Sequence, residues 1–248
     1  MSEQLDASAA QDDHRWYAVS TRELTTTLEE VDRRLRLART WLDEAGQGVA
    51  RAMTTLGGVD QELRSAAEGR GDVIALGAAL TALYRESMQV VGDGTEVQGE
   101  LGHAKGALQA SDVLLAGLPT PADAQDRVDQ QVLRERVSQL HRAVEEARPF
   151  AGDIVDRMEH TARLAAEGLN RVREGEPVEV ESIGRQISRA QEAARGLDRP
   201  VTEAAGAARR ATGQAEMVAA QARLRLRLGQ EMSARPPSIV SPPPGIGR

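Results

Sequence analysis

Apolar residues recur along most of the chain at alternating spacings of three and four residues. This heptad pattern is typical of a helix with one apolar seam, because two positions of every seven then face a neighbouring helix. The first seam predicts a helix from about residue 21 to 68, with Ser20 and Glu23 as a capping box. Its members are Leu24, Leu28, Val31, Leu35, Ala38, Leu42, Ala45, Val49, Ala52, Leu56, Val59, Leu63 and Ala66.

Three further seams follow, separated by residues that end helices. The second helix is predicted from the cap Asp72 to Gly117, and the third from Pro121 to the residue before Gly175. The fourth begins near Pro177. Proline is tolerated in the first helical turn and glycine is favoured just after the last, so these positions are natural boundaries.

The connections between the first and second helices and between the third and fourth are too short for anything but antiparallel return. The predicted fold class is therefore all-α, with two tandem long antiparallel helical hairpins. The predicted organisation is an acidic N-terminal tail (1–19), hairpin 1 (20–118), hairpin 2 (119–234) and a Pro-rich C-terminal tail (235–248). The pattern leaves open a four-helix bundle or an elongated coiled-coil rod.

Glycines with seven-residue spacing form a candidate interface on the outward heptad position f, away from the seam. Such residues would let another helix approach closely, either a helix of the other hairpin or one of a partner. The alternative is that neutral sequence drift placed glycines at exposed positions. Each glycine costs a helix about 1 kcal/mol relative to alanine, which disfavours drift. The candidate interface residues are Gly92, Gly99, Gly106, Gly206 and Gly213.

Helix-weakening residues near the middle of each hairpin are candidate hinges, because glycine and proline are common local causes of kinks. Ordinary tolerance of imperfect helices is the alternative interpretation. The candidate hinge residues are Gly46, Gly48, Gly94, Pro149 and Pro200.

Composition narrows the classes of function. The formal net charge is −7, and no block of basic residues with interleaved aromatic residues occurs, so we expect no nucleic-acid binding. The absence of cysteine excludes disulfides and thiolate chemistry. Lys105 is the only lysine among 31 basic residues, which indicates a high-GC bacterial source.

The N-terminal segment lacks an apolar core, and no apolar run is long enough to span a membrane. We therefore expect no Sec signal and no transmembrane span. The predicted location is the cytoplasm, and export without a Sec signal is the alternative.

The strongest enzyme-like motif is Glu100-x-x-His103, since di-iron helical bundles carry Glu-x-x-His with both side chains facing the interior. In the heptad frame Glu100 takes position g and His103 position c, away from the seam, and no second copy of the motif exists. The pair His141 and Glu145 has the spacing of neighbours on a solvated helix face. The sequence predicts no catalytic, cofactor or metal site.

Hairpins of about 100 residues without a Sec signal resemble the Trp-X-Gly helical-hairpin proteins of type VII secretion, here in tandem. The resemblance is architectural, because the first turn contains Gly69-Arg70-Gly71 without Trp-X-Gly. The export pattern Tyr-x-x-x-Asp/Glu is also missing, since the residue four positions after Tyr84 is Met88 and the residue four positions after Tyr17 is Thr21.

These observations favour a non-catalytic helical scaffold or adaptor that mediates protein–protein interaction and self-associates as a homo-oligomer, with its protein partners unidentified. An alternative is a secretion-linked targeting or carrier partner of a type VII-like system. The second and least favoured alternative is a helical-bundle metal enzyme.

Overall fold

The computed structural model describes the backbone of residues 2–121 and 123–234, with the side chains of residues 17–121, 123–228 and 230. It contains four long helices: α1 (Ser2–Ala67), α2 (Val73–Gly117), α3 (Ala124–Glu174) and α4 (Val180–Ala234). The predicted all-α class is confirmed. The Pro-rich segment 235–248 lies outside the described residues.

Local chemistry at the connections sets most of the helix ends. Asp72 caps α2 as predicted, and its carboxylate accepts a hydrogen bond from the Ile74 N–H at 2.8 Å. Gly69 and Gly175 have φ angles of 72° and 78°, a left-handed conformation that glycine adopts without a steric penalty. The chain therefore reverses directly after α1 and after α3.

The predicted start of the first helix is wrong. α1 begins at Ser2 rather than near residue 21, so the segment predicted as an acidic tail is helical and Ser20 lies inside the helix instead of capping it. Residues 2–20 contain no proline or glycine. Extending an existing helix gains one hydrogen bond for each residue that it fixes. Because no local residue ends the helix, α1 continues towards the N-terminus.

The predicted starts of the third and fourth helices are also early. α3 begins after the cap Asp123, whose carboxylate accepts a hydrogen bond from the Gln125 N–H at 2.7 Å, rather than at Pro121. An aspartate in extended conformation satisfies a free N–H at the helix start. α4 begins at Val180, three residues after Pro177.

The four helices form one bundle and not a rod. α1 packs on α2, α2 on α3, α3 on α4, and α4 closes the ring against α1, whereas the backbones of the diagonal pairs do not approach each other within the described residues. The seams of all four helices meet in a single apolar core. Closing the ring buries flanking positions that an isolated hairpin would leave exposed, which favours the bundle over the rod.

The helices are not of equal length at the end that holds the α2–α3 connection. Arg34 of α1 lies beside Glu100 of α2 at 3.1 Å. Gly117, the last residue of α2, is therefore level with about residue 17 of α1, and α1 continues for about 22 Å beyond it at 1.5 Å per residue. No helix in the described part of the chain has a stretch long and apolar enough to cross a bilayer.

Candidate functional site

The predicted interface glycines lie on two different surfaces. Gly92, Gly99 and Gly106 are exposed on α2, and no atom lies within 4 Å of the position that a Cβ would occupy. On α4, Gly213 is also open, whereas Gly206 is half-buried with a guanidinium nitrogen of Arg210 3.3 Å from its Cβ position. Because α2 and α4 occupy opposite corners of the bundle, these glycines do not form one surface.

The alternative in which these glycines join the two hairpins is wrong. The contacts between hairpins run through other positions, such as Gly94, whose Cβ position lies 2.9 Å from Val155 Cγ2 of α3. Gly94 is in the seam, and the f glycines point away from it. A contact with a partner remains a prediction for them.

One strip of the outer surface of α2, which we call the α2 face, is uncharged over about 36 Å, while the adjoining c positions carry the exposed residues Glu96 and His103. It consists of the outward b and f positions from residue 92 to 116, all of them exposed: Gly92, Thr95, Gly99, Gly102, Gly106, Gln109, Val113 and Ala116. Val113 is 73% exposed, and Met88, one turn before Gly92, is 42% exposed. Apolar side chains therefore stand at both ends of a flat central section.

The same positions on α1 show the usual polarity of a solvated helix. Between residues 22 and 54 the outward b and f positions are Arg22, Thr26, Glu29, Arg33, Arg36, Thr40, Asp43, Gln47, Ala50 and Thr54, all exposed and half of them charged. Charged outer positions are the norm for bundle helices, because they keep the surface in water. The α2 face departs from this norm.

A network of charges links α1 to the α2 edge beside this face. Arg34 Nη1 lies 3.1 Å from Glu100 Oε2 and 3.3 Å from His103 Nδ1. Hydrogen bonds from Arg33 and Arg34 lower the pKa of Glu30 to about 2, so Glu30 stays ionised and helps to hold Arg34 in place.

The Glu-x-x-His motif therefore contacts a guanidinium at the α1–α2 edge. An arginine guanidinium donates hydrogen bonds and accepts none, so His103 Nδ1 is the acceptor and the neutral ring carries its proton on Nε2. Glu100 and His103 hold α1 against α2 in this arrangement. Within the described residues no cluster of three histidine, aspartate or glutamate side chains could hold a metal ion.

The α2–α3 edge carries an ion pair and an imidazole–carboxylate contact of its own. Lys105 Nζ lies 2.7 Å from Glu145 Oε1, and His141 Nε2 lies 2.7 Å from Asp112 Oδ2. His141 is thus engaged by a carboxylate of the neighbouring helix, and Glu145 by a lysine, rather than by each other as the sequence spacing indicates. Both edges of α2 are fixed to neighbouring helices by charged contacts.

A buried polar cluster lies where α2 ends, between α1, α3 and α4. Asp126 of α3 pairs with Arg225 of α4, and Asp129 accepts hydrogen bonds from Gln214 at 3.5 Å and Gln221 at 3.4 Å. Asp126, Asp129 and Gln214 are buried. Such a cluster disfavours a shift of α4 along α3, since a shift would leave buried charges unpaired.

Tyr17 of α1 completes this cluster. Its hydroxyl is buried and has no hydrogen-bond partner among the described residues. Burial raises the pKa of the Tyr17 phenol above its ordinary value of 10.0, while the charge of Arg225 lowers it and that of Asp129 raises it. Sequence analysis missed the cluster, because its members come from three helices whose relative register only the fold defines.

The candidate hinge residues lie inside continuous helices. Pro149 is exposed within α3, and Pro200 is buried within α4. Gly48 is buried where α1 crosses Val90 of α2, and a Cβ there would overlap the valine side chain, whereas Gly46 is half-buried with open space around it. Gly48 therefore has a packing reason of its own, as Gly94 does, and the hinge remains a prediction.

Comparison of the chain with known protein families, with curated proteins and with solved structures found no match.

Proposed function

We propose that the protein is a non-catalytic helical scaffold or adaptor that binds other protein through the α2 face. The observation that carries this proposal is the loss of charge from this exposed strip of α2, whereas half of the corresponding positions on α1 are charged. Protein interfaces are depleted of charged residues at their centres and enriched in methionine and aromatic residues. The α2 face has the first property throughout, and the exposed Met88 lies one turn before it.

The glycines of this face have no role inside the monomer. Nothing fills the space beside Gly92, Gly99 or Gly106, so alanine would fit at each of them. Alanine would favour the helix by about 1 kcal/mol at each position. Close approach of a helix from outside gives a physical reason for glycine there, because it brings two backbones within van der Waals contact.

The bundle also supports α2 in the way that a docking surface requires. Seam residues of α2 such as Leu83, Val97 and Leu108 are fully buried, and ion pairs tie its two edges to α1 and α3. A helix held on both sides presents its outer face in one fixed conformation. Binding to a preorganised surface loses less conformational entropy than binding to a mobile one.

The side chains with potential acid–base chemistry support the non-catalytic part of the proposal. His103 contacts Arg34, and His141 contacts Asp112, so each imidazole participates in holding two helices together. We therefore assign these residues to stability. We also propose the cytoplasm as the location of the protein.

The proposal is tested by photocrosslinking in the producing cells. A photoreactive amino acid replaces Gly99 in one variant and Gly57 in the control, since both glycines are exposed and have open space around them. Irradiation is expected to give protein adducts from position 99 and few from position 57. Equal yields, or none from position 99, would refute the α2 face as the binding surface. Assaying cells and medium separately distinguishes a cytoplasmic scaffold from an exported one.

A further inference from the structure

We propose that the partner of the α2 face is a second copy of this chain, paired antiparallel about a twofold axis that passes beside Gly99. The inference rests on the proposed function and names the partner of the same surface. It is carried by three properties of the face: its sequence spacing, the placement of the few charges around it, and the exposed valine near one end.

The spacing of the small residues is symmetric about Gly99. In an antiparallel pair centred there, Gly99 faces itself and Gly92 faces Gly106 of the second copy, because each lies seven residues from the centre. On the adjoining b positions, Thr95 lies level with Gly102 of the second copy. A closed twofold dimer requires a surface that is complementary to itself, and this spacing provides one.

The charges beside the face are complementary under the same twofold axis. Glu96 and His103 both occupy heptad position c, where an antiparallel pair brings c next to c. Their separation places Glu96 of one copy level with His103 of the other, and the contact occurs twice. Arg34 fixes the His103 proton on Nε2, so this ring has a donor for the carboxylate.

The remaining charge on the f positions of this half of α2 also meets a suitable neighbour. Arg85 lies fourteen residues before Gly99, and Val113 lies fourteen after it. The aliphatic stem of Arg85 would therefore cover Val113 of the second copy while its guanidinium reaches solvent. No pair of like charges faces across the axis at these positions, and a 73% exposed valine becomes covered.

Cysteine substitution tests this geometry directly, because the chain contains no cysteine. Gly99→Cys is expected to oxidise to a covalent dimer, since helices in glycine-mediated contact bring facing Cα atoms within the roughly 4.4–6.8 Å that a disulfide requires. Gly92→Cys alone should crosslink poorly, whereas a mixture of Gly92→Cys and Gly106→Cys should crosslink well. Gly57→Cys is the exposed control on α1.

The mass and affinity of the unmodified protein provide the second measurement. Light scattering should give a dimer of the 26.7 kDa chain. Glu96→Lys should weaken dimerisation about tenfold, because it replaces the carboxylate that accepts from His103 with an ammonium that can only donate, and the contact occurs twice. Glu96→Lys with His103→Glu should restore the dimer through an opposite-charge pair. Failure of the second change to restore the dimer would overturn the proposed charge contact.

The possible results separate this inference from the proposed function. A monomeric protein with no disulfide at Gly99→Cys overturns the second copy as partner, while adducts of another protein at position 99 in cells would leave the α2 face in place. Self-crosslinking of Gly92→Cys as efficient as that of Gly99→Cys overturns the antiparallel arrangement. A monomer that also yields no adducts in cells overturns both proposals.

Discussion

Replacing Gly94 by alanine tests how closely α2 and α3 pack in the middle of the bundle. The new methyl group would lie 2.9 Å from Val155 Cγ2, well inside the 3.5–4.0 Å that carbon atoms prefer. Val155 is β-branched and has little rotamer freedom in a helix, so the helices must move apart. Overpacking of this kind costs about 1–3 kcal/mol.

The helix itself gains from the same change, since alanine is favoured over glycine by about 1 kcal/mol. The net effect expected for Gly94→Ala is therefore a destabilisation of about 0–2 kcal/mol. Gly57→Ala on α1 is the matched control, because its Cβ position has nothing within 4 Å. It should stabilise the protein by the full helix term of about 1 kcal/mol.

Thermal unfolding followed by circular dichroism separates the two variants. A difference of about 2 kcal/mol corresponds to roughly 4–8 °C in melting temperature for a chain of this size. Measurement at micromolar concentration or below limits the contribution of self-association. If Gly94→Ala raised the melting temperature as much as Gly57→Ala does, the close α2–α3 contact would be refuted.

Three further predictions concern the polar cluster and the hinge. In a Tyr84→Phe background, Tyr17 is the only tyrosine. Its absorbance should titrate at higher pH in the folded protein than in urea, because burial raises the pKa of the phenol. The contribution of Tyr17 to stability is therefore fully present below the unfolded pKa, and it is lost as pH rises through the folded pKa. Arg225→Leu should destabilise the protein by about 1–3 kcal/mol in urea unfolding, because the buried Asp126 loses its partner. Adding Asp126→Leu should recover part of the loss. If α3 hinges at Pro149, limited proteolysis should cut near it before it cuts elsewhere in the helix, and Pro149→Ala should abolish that preference; uniform cleavage would count against the hinge.

The candidate site was only partly predictable from sequence. Gly92, Gly99 and Gly106 could be placed on an outward position because heptad spacing fixes direction around a helix. Val113 has the same spacing, seven residues after Gly106, and could have been added to the group by the same rule. The tertiary structure was needed to show that Gly206 and Gly213 lie on the opposite corner.

Sequence alone determined the number of helices, the seam residues and the turns at Gly69 and Gly175. These features depend on periodicity and backbone freedom, which are properties of neighbouring residues. Sequence did not determine where α1 begins, because helix-compatible residues before Ser20 contain no stop signal and packing against a neighbouring helix decides whether they stay helical.

Only the tertiary structure decided between a bundle and a rod. Both arrangements use the same seams, and they differ in whether the flanks of α1 meet α4, a contact between residues as distant in sequence as Asp32 and Arg209. The same closure places Tyr17 of α1 beside the polar cluster of α3 and α4, where the charges of Asp129 and Arg225 act on its phenol. It also places α2 at a corner of the bundle, where the α2 face points outward and its glycines are exposed.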